Sequence, residues 1–184
     1  MKDYLDVVYN KDKKPYTSYP EKLIAHLFDE NKMKKGQSLL EPGVGMGEHL
    51  RLFKEMGLEV TGLDISPKAK IYSPNLNINI LDVENIKRWP YPDNSFDIVY
   101  SKSLIEHLSQ PIQYFSESQR VLKPGGLLLT LTPDWESSFK KFYDDPTHVR
   151  PFTIVSLKDI QVMSGFKNIS VEKMRQLPLT WKSP

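Results

Sequence analysis

The sequence predicts an α/β protein of the doubly wound, Rossmann-like kind: a mostly parallel sheet with helices on both faces. Three observations lead there. Short apolar strand candidates alternate with segments of helical periodicity along most of the chain. The strand candidates are largely apolar throughout, as strands covered on both faces are, and do not alternate apolar with polar residues. Three glycines directly follow the first strand candidate, and open parallel sheets bind ligands at the carboxyl ends of their strands.

Taken in order, residues 1 to 17 are polar with interspersed tyrosines and read as an irregular arm able to fold over a site. Pro20 opens a helix whose Leu23, Ile24, Leu27 and Phe28 recur at helical spacing and form one apolar face. SLLE (38 to 41) is the first strand, and Leu50, Leu52, Phe53 and Met56 support a second helix that Gly57 can stop. LEVTGLD (58 to 64) is a strand, SPKAKIY a short helical turn, and LNINILD (76 to 82) and FDIVYS (96 to 101) are further strands. Residues 103 to 122 are helical in pattern until KPGG (123 to 126) breaks them, and LLLTLTP (127 to 133) is the most apolar strand. A long loop over 133 to 153, a helix through SLKDIQVMSG and a last strand near FKNISVEKM complete the expectation.

Composition narrows the function classes. At 184 residues the chain is expected to be a single domain, 1 to 184, with a real core. Its 25 Lys+Arg against 23 Asp+Glu leave a charge of +2 without a basic block, so no nucleic-acid partner is expected. The absence of cysteine rules out disulfides and thiolate chemistry. No signal peptide and no apolar run of spanning length stand out, which predicts a soluble, cytoplasmic protein without a membrane span.

The glycine loop carries the first functional signal. In SLLEPGVGMG, Glu41 precedes Gly43, Gly45 and Gly47 at every second position. Glycines there let the backbone turn and approach a ligand, while the next helix offers its amides. The dinucleotide fingerprint G-x-G-x-x-G cannot be written from this spacing, which disfavours a nicotinamide-dependent oxidoreductase. The block instead resembles motif I of the class I S-adenosylmethionine-dependent methyltransferases, an acid followed by x-G-x-G-x-G, and Glu41, Gly43, Gly45 and Gly47 match it one for one. The resemblance covers most of the chain. It implies S-adenosylmethionine as cofactor, with S-adenosylhomocysteine as product. By the same resemblance Asp64 would accept the ribose hydroxyls, Ile65 would lie under the adenine, Asp82 and Val83 would meet the adenine edge, and Ser101 would lie at the methionine end. Asp64 as a turn residue and Asp82 as a helix cap are the plainer alternatives.

The acceptor region is expected in FYDDPTHVRPFT (142 to 153), after the fifth strand. His148 can act as a base with Asp145 orienting its ring, and Arg150 can hold an anionic group; an internally bonded structural loop is the alternative. His107, ending IEHL, and Tyr16 in the arm are further substrate-side candidates. Neither His107 nor His148 shows ligand spacing of the H-E-x-x-H type, so no metal is expected. The run D-x-T-H-x-R-x-[FY]-[ST] over 145 to 153 resembles small methyltransferases of sugar and polysaccharide biosynthesis, and so implies a sugar or other glycan-linked acceptor; the expectation overall is a small-molecule or glycan-linked acceptor, with oxygen slightly favoured over nitrogen. A nucleic-acid methyltransferase is disfavoured because SKSL stands where an (N/D)PP(Y/F) motif would. The family's last strand has little sequence left for it, and Leu177, Leu179 and Trp181 form an apolar end suited to a second copy or a missing C-terminal segment. A non-catalytic cofactor-binding module, or a subunit of a larger transferase, is therefore the alternative function.

Overall fold

The computed structural model describes residues 3–8 and 17–174, so Tyr16 and the apolar end at Leu177, Leu179 and Trp181 lie outside it. The chain forms two compact units that divide between Asp82 and Val83.

The first unit contains α1 (Tyr4–Val8), α2 (Tyr19–Glu30), β1 (Ser38–Pro42), α3 (Glu48–Glu55), β2 (Glu59–Asp64), α4 (Lys68–Tyr72) and β3 (Ile78–Ile80). Its strands pair in parallel, β1 with β2 from Ser38↔Glu59 to Pro42↔Leu63, and β2 with β3 from Gly62↔Ile78 to Asp64↔Ile80. The spacing of Pro20, Leu23, Ile24 and Leu27 buries one stripe of α2, while Leu50 and Phe53 do the same for α3. These residues and Leu39, Leu40 and Leu63 form the unit's core. The irregular arm expected over 1 to 17 is corrected in part: Tyr4–Val8 is helical, with the side chain of Asp3 accepting from the Leu5 amide at its start (3.0 Å) and Leu5 buried.

The second unit contains β4 (Phe96–Lys102), α5 (Pro111–Val121), β5 (Leu122–Leu131), α6 (Trp135–Ser138) and α7 (Ile154–Met163). β4 and β5 are parallel, and Trp89, Ile98, Val99, Tyr100, Tyr114 and Phe115 are buried around them. Four expectations change here. The single helix over 103 to 122 is a 3-10 turn, Ile105–His107, followed by α5, which begins only where Pro111 can occupy a first helical turn without losing an amide bond. KPGG does not separate helix from strand; it is an irregularity within β5, where pairing jumps from Phe96↔Leu122 to Ile98↔Leu127. The loop over 133 to 153 holds α6 and a 3-10 turn, Phe142–Asp144, and an isolated bridge joins Asp134 to Phe152. The strand near FKNISVEKM is absent over its described residues; Lys173 there makes ion pairs to Asp134 (3.1 Å) and Glu136 (2.6 Å) on the turn into α6, side-chain bonds in place of a ladder.

Candidate functional site

In the first unit the glycine loop and the end of β2 are joined by backbone. Gly43, Gly45 and Gly47 all have positive φ (75°, 58° and 78°), a conformation side chains resist. The amides of Gly43 and Val44 bond to Leu63 O (2.8 and 3.1 Å), and that of Gly45 bonds to Asp64 Oδ2 (2.7 Å). Gly47 caps α3, and a Cβ there would stand 2.8 Å from that of Ser73, whose hydroxyl bonds to Met46 O. Glu41 is buried at the end of β1, 4.0 Å from His49 Nδ1.

Asp64 is 2% exposed. Its Oδ1 accepts from the Ser66 amide (2.8 Å), and Tyr4 Oη donates across both oxygens (3.1 and 3.2 Å). Desolvation raises its pKa, outweighing the amides of Ser66 and Gly45 and the Tyr4 hydroxyl, which favour the charged form. Ile65 beside it is 58% exposed, an apolar side chain open to a ligand. Asp82 is half-buried, and no helix follows for it to cap.

In the second unit Val83 is buried, and so is Ser101, whose hydroxyl bonds to Tyr114 Oη (2.8 Å). The tight turn Ile105–His107 meets the loop at 145 to 150 through Glu106, whose carbonyl accepts from the amides of Val149 (2.9 Å) and Arg150 (3.0 Å). Glu106 is fully buried; Thr132 Oγ1 donates to its Oε2 (2.9 Å), and Oε1 has no hydrogen-bond partner among the described residues. Burial raises its pKa against the opposing bonds and the two nearby imidazoles.

The bonds fix both imidazole tautomers. His148 Nδ1 is 2.6 Å from Phe142 O, which can only accept, so Nδ1 carries the proton. Thr147 spends its hydroxyl proton on Asp145 Oδ1 (2.6 Å), so toward His107 Nδ1 (3.0 Å) it can only accept, as does Thr147 O (3.1 Å). Each neutral ring therefore carries its lone pair on Nε2. The rings lie 4.7 Å apart, and one ligand-capable atom from each of Glu106, His107 and His148 falls within 4.8 Å of the others. Asp145 Oδ2 stands 3.9 Å from His148 Nε2, so the Phe142 carbonyl is the group in bonding contact with that ring. Burial opposes ionisation of Asp145, but its bonds to the Thr147 hydroxyl and amide prevail and lower its pKa. Arg150 is exposed and donates to Ser109 O (3.0 Å).

A solved S-adenosylmethionine-dependent methyltransferase from Archaeoglobus fulgidus is 28% identical, with a TM-score of 0.74 over 90% of this chain and 76% of that one. Residues 40–130 match the family described as Methyltransferase domain. The chain carries a class I S-adenosylmethionine-dependent methyltransferase domain. The cofactor that goes with this domain is S-adenosylmethionine, and the Rossmann-like α/β fold expected from the sequence stands. A Mycolicibacterium smegmatis protein named "Probable S-adenosylmethionine-dependent methyltransferase" is 32% identical over 137 residues, 72% of this chain and 52% of its own length. Phosphoethanolamine N-methyltransferase 2 of Caenorhabditis elegans is 28% identical over 152 residues, 77% of this chain and 35% of that protein. The chain thus spans about half or less of the length of these curated relatives. Among the described residues of the methyltransferase domain, no helix is long and apolar enough to cross a membrane.

Sequence reasoning missed Tyr4 and Glu106. Tyr4 lies 60 residues from Asp64, beyond any local pattern. Glu106 had a faint signal, an acid beside a histidine in an otherwise apolar IEHL.

Proposed function

We propose that this protein moves the methyl group of S-adenosylmethionine to a hydroxyl oxygen of a small-molecule acceptor in the cytoplasm. Glu41, Gly43, Gly45, Gly47, Asp64, Ile65, Asp82, Val83 and Ser101 hold the cofactor, with Asp64 accepting from the ribose hydroxyls. His148, His107, Asp145 and Arg150 serve the acceptor. The observation that carries the oxygen acceptor is the pair of imidazoles, each with Nδ1 against a backbone carbonyl and one ligand-capable atom of each within 4.8 Å of a buried carboxyl oxygen. A sulfonium already carries the activation for displacement, so the protein's part is alignment and removal of water. A hydroxyl, unlike a neutral amine, must also lose a proton, and bare imidazole nitrogens suit that need. The resemblance of residues 145 to 153 to methyltransferases of sugar metabolism supports glycan-linked hydroxyls as the first acceptors to try.

The test is calorimetric titration with S-adenosylmethionine and S-adenosylhomocysteine, with NAD and NADP as controls, followed by turnover on a panel of alcohols, sugars and amines. Asp64→Ala is expected to weaken the sulfonium pair more than about tenfold, roughly 1.4 kcal/mol. Methylation of amines alone, or binding untouched by Asp64→Ala, would overturn the corresponding part of the reading.

A further inference from the structure

The Glu106, His107 and His148 cluster has the composition of a cation site: two imidazoles and one carboxylate, each offering a ligand atom within 4.8 Å of the others. Three features separate it from a chance meeting of charges. First, both rings are wired from behind, Nδ1–H donating to backbone carbonyls, Phe142 O for His148 and Thr147 O for His107. Metal-bound histidines are characteristically oriented this way, because it fixes the tautomer that leaves Nε2 as a lone-pair donor. Second, Glu106 is fully buried and its Oε1 has no hydrogen-bond partner among the described residues, an arrangement that costs free energy unless the carboxyl takes up a proton or a cation sits beside it. Third, His107 and His148 are only partly buried, so the cluster opens outward from a buried carboxyl floor. Sequence spacing concealed it, because one ligand pair sits in the turn at 105–107 and the third ligand 41 residues on, at 148.

We propose that Glu106 Oε1, His107 Nε2 and His148 Nε2 bind a divalent first-row transition cation and leave an outward coordination position for the acceptor oxygen. Two imidazole ligands favour zinc, copper, iron or nickel over magnesium, calcium or manganese. Bonds of 2.0–2.1 Å in a tetrahedral shell would put the ligand atoms about 3.3 Å apart, so binding draws the two rings and the carboxylate together. This inference rests on the hydroxyl acceptor proposed above and makes the cluster work through a cation in place of a free imidazole base. The acceptor O–H, bound to the cation, releases its proton to water. The oxygen then forms its bond to the methyl carbon as the carbon–sulfur bond breaks, and sulfur keeps the electron pair as the neutral thioether.

The test uses the full chain, stripped with chelator and titrated with Co(II) and Zn(II) alone. Co(II) is expected to produce visible absorption of a low-symmetry nitrogen–oxygen site, and two exchangeable, paramagnetically shifted proton resonances from the Nδ1–H groups. The NMR signals need no variant, so they hold even where a substitution harms folding. Glu106→Gln, His107→Ala and His148→Ala should each weaken binding at least tenfold, and His26→Ala should leave it unchanged. Absence of bound cobalt, absence of shifted imidazole protons, or binding in both histidine variants as tight as in the unaltered chain would overturn the site. S-adenosylmethionine affinity of the stripped protein separates the two readings: if the stripped protein binds S-adenosylmethionine but takes up no added cobalt, only the cation site falls, whereas cation binding without turnover on any hydroxyl retains the site and removes the acceptor reading.

Discussion

At the scale of single residues, the glycine loop tolerates little change. Gly47→Ala combines a φ of 78° with a 2.8 Å approach to the Ser73 Cβ, and should cost about 1–3 kcal/mol, read as a lower urea midpoint with an unchanged slope. Asp64 makes two opposite pH predictions. Its pKa is raised by burial, so the folded chain takes up its proton more readily than the unfolded chain. As pH falls toward the ordinary aspartate range, Asp64 on its own therefore favours the fold. On the proposed ribose role, cofactor affinity moves the other way. A protonated Asp64 loses acceptor capacity, so affinity should begin to drop at a pH above the usual carboxylate range, and calorimetry between about pH 7 and pH 5 checks it. The acid-and-glycine pattern of this loop was legible because it depends on neighbours in sequence. The bonds among Asp145, Thr147 and His107 were not, since the partners of His107 lie 40 residues away.

Elements were legible where one periodicity ran undisturbed, as in α2 and β2, and failed where the chain changed direction within a few residues. Ser103 has a φ of 53°, and the turn after it carries Glu106 and His107 to the loop at 145 to 150; no apolar period announces such a turn. Over 103 to 122 the residues on both sides of Pro111 are apolar at compatible spacing, so the pattern alone predicts one helix. At the start of α7, Thr153 and Ser156 form a reciprocal capping box. Thr153→Ala should remove about 1 kcal/mol, and hydrogen exchange should speed up over 154 to 163 before it does in β4 or β5.

At the scale of the whole molecule, acid stability should be governed by one ion cluster in the second unit. Arg120 bonds Glu117 (2.7 and 2.8 Å), Asp93 (2.8 Å) and the carbonyls of Tyr91 and Trp89. Burial opposes ionisation of Glu117, but Arg120 and the Trp89 amide prevail, so its pKa is lowered; Arg120 lowers that of Asp93 directly. A lowered carboxylate pKa contributes stability that is present above the unfolded value and disappears as pH falls through the folded one. The melting temperature should therefore fall from about pH 5 downward, and more shallowly in Glu117→Gln. Arg120→Ala should cost roughly 1–3 kcal/mol at neutral pH, because Glu117 stays buried without its partner. The alternation of strand and helix made the fold class legible from sequence alone, whereas the division at Asp82 has no compositional mark, since VENIKRW reads as more of the same polar connection.

On the proposed ribose role of Asp64, its contact with Tyr4 makes the first helix an intramolecular competitor. A carboxylate offers about four lone-pair directions, and here the amides of Ser66 and Gly45 use the inner ones while one phenol spans the remainder. Ribose hydroxyls reaching for those oxygens must first displace the phenol, so the measured dissociation constant equals the intrinsic one divided by the fraction of molecules with Tyr4 withdrawn. Removing the phenol oxygen by Tyr4→Phe should then tighten cofactor binding, chiefly through a faster association rate in stopped-flow mixing.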